Sequence, residues 1–81
     1  MDLIEEFRRI TAANARREQE VESDWRSLGL KARKLRKEAK VSLRFLAGRM
    51  GISAPSLSDM ELGRRHWTEE RIRQFVSLLN P

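Results

Sequence analysis

The chain has 81 residues, with 17 Lys and Arg against 12 Asp and Glu, a net charge of +5, and 36% charged against 40% hydrophobic residues. That gives room for one small, helix-rich domain and argues against a disordered tail. There is no apolar run near the roughly 18 residues of a membrane span. The opening Met-Asp, soon followed by Glu5-Glu6, does not read as a secretory leader, and the lack of cysteine excludes disulfides, thiolate metal sites and a thiol nucleophile.

The first predicted helix covers residues 2–26. Leu3, Phe7 and Ile10 recur at i, i+4, i+7, and Val21, Trp25 and Leu28 repeat the pattern. The eleven residues from Ile10 to Val21 are close to three helical turns, so both groups share a face. Asn14 lies in the middle of it. The stripe runs on through Ala32, Leu35 and Ala39, but Gly29 weakens a helix interior by about 1 kcal/mol. A single long helix through residue 39 is one reading; a break near Gly29 and a second helix over 29–39 is the favoured one.

A third helix follows over 43–50, with Ser42 as N-cap and Leu43, Leu46, Ala47 and Met50 on its inner face. Gly51 ends it. Ser53 caps a fourth helix, 54–62, whose first turn accepts Pro55 without losing a hydrogen bond; Leu57 and Met60 face inward and Gly63 closes it. Thr68 caps the last helix, with Glu69 and Glu70 at its positive end. Ile72, Phe75, Val76 and Leu79 line its inner face, and Trp67 can close onto Ile72 as a hydrophobic staple. No stretch alternates as a strand does. The fold class is all-α, with about five helices.

Charge is unevenly spread. Residues 1–24 hold four basic and seven acidic residues, a net −3, whereas residues 25–81 hold thirteen and five, a net +8. Between Arg26 and Arg49 stand nine basic residues and one acid, Glu38. Such a field attracts phosphate polyanions. Two short helices joined by a tight turn at Gly51 form a helix-turn-helix unit.

The stretch VSLRFLAGRMGISAPSLSDMELGRR resembles the Cro/repressor-like, or Xre-type, helix-turn-helix family over residues 28–79. The marks are Leu46-Ala47, the turn Gly51-Ile52-Ser53, Leu57-Ser58, Glu61 followed by Gly63, and Arg64-Arg65. Ala47 is small where the two motif helices cross, and Ile52 and Leu57 pin the second onto the core. The resemblance implies a lambda-repressor-like bundle with an added N-terminal helix: residues 1–27 as the extension and 28–81 as the DNA-binding domain.

It also implies that the first turns of the fourth helix read base edges in the major groove of double-stranded DNA. Carried over by position, the candidate readers are Ala54, Pro55, Ser58 and Asp59. Ala54 and Pro55 suit a thymine methyl, Ser58 donates or accepts, and Asp59 accepts from a cytosine amino group. Candidate phosphate contacts are Ser42, Arg44, Arg49, Ser53, Ser56, Arg64 and Arg65, with Lys40 as a further one; a helix N-terminus suits an anion. By the same resemblance Arg36 pairs with Glu61 in a partly buried bond that orients the fourth helix. His66 reads as a loop residue, and Trp25 and Trp67 as core anchors.

Two features depart from the family. It commonly adds a short helix after the last one seen here, and this sequence carries an N-terminal helix instead. Phe45 is apolar where the family shows a polar residue, and an exposed Phe calls for a cover. The N-terminal helix is expected to fold over Phe45 or to pair with a second copy, with Leu3, Phe7, Ile10, Asn14 and Phe45 as dimer or partner residues. A core this small also favours self-association.

The functional expectation is a sequence-specific DNA-binding regulator, a repressor or autoregulator acting as a homodimer on a palindromic operator, in a prokaryotic or phage-like cytoplasm. The alternative is an antitoxin-like or adaptor module whose N-terminal helix engages a protein partner. One histidine, no cysteine and no HExxH, Walker loop or elbow serine argue against an enzyme. No cofactor, metal or small-molecule ligand is expected.

Overall fold

The computed structural model describes the backbone of residues 3–15 and 22–79 and the side chains of 3–12 and 24–79. Five helices follow in chain order: α1 Leu3–Ala15, α2 Glu22–Glu38, α3 Leu43–Met50, α4 Ala54–Glu61 and α5 Glu69–Leu79. No strand occurs among the described residues. The described chain is all-α.

The local signals for α3, α4 and α5 are read by the backbone as expected. Ser42 Oγ accepts from the Phe45 amide at 3.1 Å, Ser53 Oγ from the Ser56 amide at 3.1 Å, and Thr68 Oγ1 from the Arg71 amide at 3.1 Å. Each satisfies one of the amides that a helix start leaves unpaired. Gly51 closes α3 at φ 73°, in the left-handed region that favours glycine. Lys40 adopts the same region at φ 59° where the chain leaves α2. There its amide binds the Lys37 carbonyl at 3.0 Å. Arg71 adds a cap with no local sequence signal: its Nη1 donates to the Met50 carbonyl at 2.7 Å, at the C-terminus of α3.

The first two helices differ from expectation. α2, Glu22–Glu38, runs unbroken through Gly29, while residues 16–21 lie outside the described residues. The reason is packing. A Cβ on Gly29 would lie 2.4 Å from the Met60 carbonyl oxygen and 2.5 Å from that of Glu61. A Cβ on Gly63 would lie 2.5 Å from the Arg26 Cα. Here α2 touches the end of α4 backbone to backbone, so Gly29 is a contact residue rather than a terminator. Gly29→Ala is expected to destabilise the fold, although the exchange ordinarily favours a helix by about 1 kcal/mol. Overpacking against a backbone that cannot swing aside costs about 1–3 kcal/mol or more. A thermal melt should fall by about 5–15 °C, at about 4–8 °C per kcal/mol for a domain of this size.

Leu28, Leu46, Leu57, Ile72 and Phe75 form the fully buried centre, one or two from each of α2 to α5. Trp67 meets Phe75 edge-on at 5.1 Å, and its Nε1 donates to the Met60 carbonyl at 3.1 Å. The aromatic body thus joins the core while its polar atom is satisfied.

Helix α1 packs on α2 and α5. Leu3 and Ile10 are 2% and 3% exposed, within the same core, and Phe7 stands edge-on to Trp25 at 6.1 Å. This corrects two expectations. α1 does not cover Phe45, which stays 60% exposed on α3, and Leu3 and Ile10 are not held in reserve for a second copy. Leu28 and Trp25 offered α1 an apolar seat on its own chain. The Asn14 side chain and Val21 lie outside the described residues.

Ion pairs fasten the first half of α1 to both of the helices it packs on. Buried Glu6 accepts from Lys31 Nζ of α2 at 3.1 Å and from Arg9, and Arg8 Nε donates to Glu69 of α5 at 3.1 Å. Burial pushes the Glu6 carboxyl up, but Lys31 and Arg9 together outweigh it and hold its pKa below the ordinary value. Arg8, and then Arg73, hold Glu69 below its ordinary value too. Both pKa values are lower folded than unfolded. Their stabilisation is therefore complete above the ordinary carboxylate range and is lost as pH falls through the lowered values. Acid titration followed by Trp fluorescence should show α1 loosening from Trp25 below about pH 4.5. In Glu6→Gln that transition should be smaller.

Candidate nucleic-acid interface

The turn between α3 and α4 places two serine-capped helix starts on the surface. Ser42 and Ser53 are both exposed, and so are Arg44 in the first turn of α3 and Pro55 in the first turn of α4. Ser53 also donates from Oγ to Ser56 Oγ at 2.8 Å, which holds both hydroxyls at the start of α4. Helix starts carry partial positive charge and unpaired amides, so they favour anions.

Behind α4, the chain turns back on Asp59. The Asp59 carbonyl accepts from the Arg64 amide at 2.8 Å and the Arg65 amide at 3.3 Å. This turn sets both arginine side chains beside the carboxylate, with Arg64 Nη1 at 3.8 Å and Arg65 Nε at 3.9 Å. Their side chains are 72% and 62% exposed, so the pairs are weak and open to exchange for phosphate.

The four residues selected as base readers share α4 but not the same freedom. Pro55 is exposed. Asp59 is half-buried and held by its two arginines. Ala54 packs partly against the core. Ser58 borders a cavity of about 130 Å³ together with Arg33, Leu43 and Leu62. Arg49 and Lys40 are exposed but belong to α3's last turn and the end of α2.

Arg36 and Glu61 are brought together. Arg36 Nε donates to Glu61 Oε2 at 2.7 Å and Nη2 to Oε1 at 3.1 Å, while Nη1 donates to the Val41 carbonyl at 2.9 Å. The residues are 8% and 2% exposed. One planar guanidinium thus ties α2, the α2–α3 turn and α4 together, and fixes the tilt of α4 against the bundle.

Sequence reasoning missed two neighbours of this surface. His66 stacks on Trp25 with ring centroids 4.2 Å apart and planes 11° from parallel. Arg33 stands beside Ser58 although 25 residues separate them. Neither relation has a local signature, since each depends on how α2 crosses the end of α4.

No helix among the described residues is long and apolar enough to cross a membrane. No curated protein and no solved structure matches the chain. A family model described as a helix-turn-helix domain matches residues 27–80, from early α2 to the end of α5. With its two capped helices, its left-handed turn and its α2–α4 tie in place, the chain belongs to this family of Xre/Cro-like helix-turn-helix domains, whose members bind DNA.

Proposed function

We propose that the protein is a sequence-specific regulator of transcription that binds double-stranded DNA through α3, α4 and the Arg64-Arg65 turn, as a repressor or autoregulator. The observation that carries this reading is the joint exposure of two helix starts with Arg44, Arg64 and Arg65 around α4. Phosphate contacts would come from Ser42, Arg44, Ser53, Ser56, Arg64 and Arg65, with Arg49 and Lys40 at the margin. Base contacts would come from Pro55, Ser58 and Asp59, and from Ala54 only at its exposed edge. Two copies would set their α4 helices about 34 Å apart on a palindromic site. The family is typically non-enzymatic, and no covalent step is assigned to the chain.

Selection of bound fragments from a random duplex pool at physiological salt tests the proposal. A two-fold symmetric consensus supports it; recovery of unenriched sequence rejects sequence-specific reading. With a selected duplex, Arg44→Ala should weaken binding to every sequence and flatten the salt slope by about one unit. Ser58→Ala should alter preference at one base pair and leave the slope alone.

The second reading, an antitoxin-like or adaptor module, is favoured by one observation. Phe45 is 60% exposed on α3, beside exposed Arg44 and Arg49. In this reading the protein partner meets α3, because α1 places Leu3 and Ile10 inside the chain. The two readings are compatible, and Phe45→Ser separates them. Loss of self-association or of a co-purifying partner, with DNA binding to short half-sites unchanged, marks Phe45 as a protein contact.

A further inference from the structure

Helix α2 carries more positive charge than its packing uses. Lys31 binds Glu6 and Arg36 binds Glu61. Arg26, Arg33 and Lys37 have no acidic partner among the described residues. Their spacing of seven and four residues sets them on one side of the helix, within about 40° of one another and along about 16 Å of its length. Leu30 lies among them, 45% exposed. A row of like charges on one helix face repels itself and stands ready for an anion.

The row is not remote from the DNA-facing surface. Gly29 and Gly63 bring α2 against the end of α4, and two hollows show what that contact assembles. Arg26 and Leu30 share a hollow of about 460 Å³ with Arg64 and His66, over the Trp25 ring. Arg33 shares the small cavity beside Ser58. The row therefore begins next to one proposed phosphate contact and passes beside one proposed base reader.

We propose that Arg26, Arg33 and Lys37 form a second row of phosphate contacts, which grips the DNA backbone flanking the base pairs that α4 reads. This rests on the DNA-binding reading above. It assigns to α2 a share of affinity that is independent of sequence, because phosphate contacts fix position and carry no base information. A recognition helix with few strong base-reading side chains gains most from such a grip.

The test uses the full chain and a labelled random-sequence duplex, with affinity measured by anisotropy between 50 and 200 mM salt, roughly the range over which phosphate contacts are resolved. The triple variant Arg26→Gln, Arg33→Gln, Lys37→Gln should flatten the slope of log affinity against log salt by about 2–3 units. The affinity lost across that range should then be about 40-fold smaller than for the wild type. A second triple, Arg8→Gln, Arg9→Gln, Arg73→Gln, removes the same charge from residues already paired with Glu69 and Glu6. Its slope should move by less than about one unit. Lys37→Gln alone, at an exposed site, should flatten the slope by about one unit and keeps the test open should the first triple fold poorly. Wild-type binding with an unchanged slope in the α2 variants, or equal changes in both triples, overturns the second row alone. Failure of the wild-type chain to bind duplex at 50 mM salt overturns the parent reading as well.

Discussion

Arg36→Ala should remove a large share of the stability of the domain. The substitution leaves Glu61, 2% exposed, as a buried carboxylate without its two donors, and strips the Val41 carbonyl of its partner. Removing one member of a buried pair costs about 3–5 kcal/mol. Whole domains have only about 5–15 kcal/mol in total. A calorimetric melt should therefore fall by about 15–30 °C. The double variant Arg36→Met, Glu61→Leu separates this cause from loss of packing. It removes both charges, so its melt should recover to well above that of the single variant. If Arg36→Ala melts within a few degrees of the wild type, the pair does not anchor α4.

Removing both arginines of the turn after α4 should weaken DNA binding strongly while leaving the fold intact. The backbone N–H groups of Arg64 and Arg65 donate hydrogen bonds to the Asp59 carbonyl, so their positions depend on backbone and not on the charges themselves. Arg64→Gln with Arg65→Gln should leave the melt within about 2–4 °C of the wild type, as expected for exposed sites worth under about 0.5 kcal/mol. Affinity for a selected duplex should fall in line with two lost phosphate contacts, and the salt slope should flatten by about 1.8 units. Preference among sequences should stay the same, since the lost contacts carry no base information. A changed consensus with an unchanged slope would instead place these arginines in a groove.

What the sequence made legible follows the range of each interaction. Ser42, Ser53, Thr68 and Gly51 act within four residues, so the bounds of α3, α4 and α5 can be read directly from residue type. The Arg36–Glu61 pair spans 25 residues and was reachable only through resemblance to a family. Gly29 shows the limit most clearly. The same residue type ends α3 at position 51 and permits a crossing at position 29, and only the backbone of α4 distinguishes the two uses. The place of α1 was hidden for a related reason. Its stripe of Leu3, Phe7 and Ile10 fits a partner helix, a second copy or its own chain equally well, and the choice was made by Trp25, Leu28, Lys31 and Glu69. Around α4, residue type marked the phosphate candidates but could not tell that Ala54 leans into the core or that Arg33 arrives beside Ser58.

Amide chemical-shift mapping of the full chain against a short DNA duplex tests the central claim most directly. Titration should move the signals of Ser42–Phe45, Ser53–Asp59 and Arg64–Arg65 and leave those at the middle of α5 in place. Saturation with no movement on α3 and α4, or movement confined to α1 and α5, would contradict it.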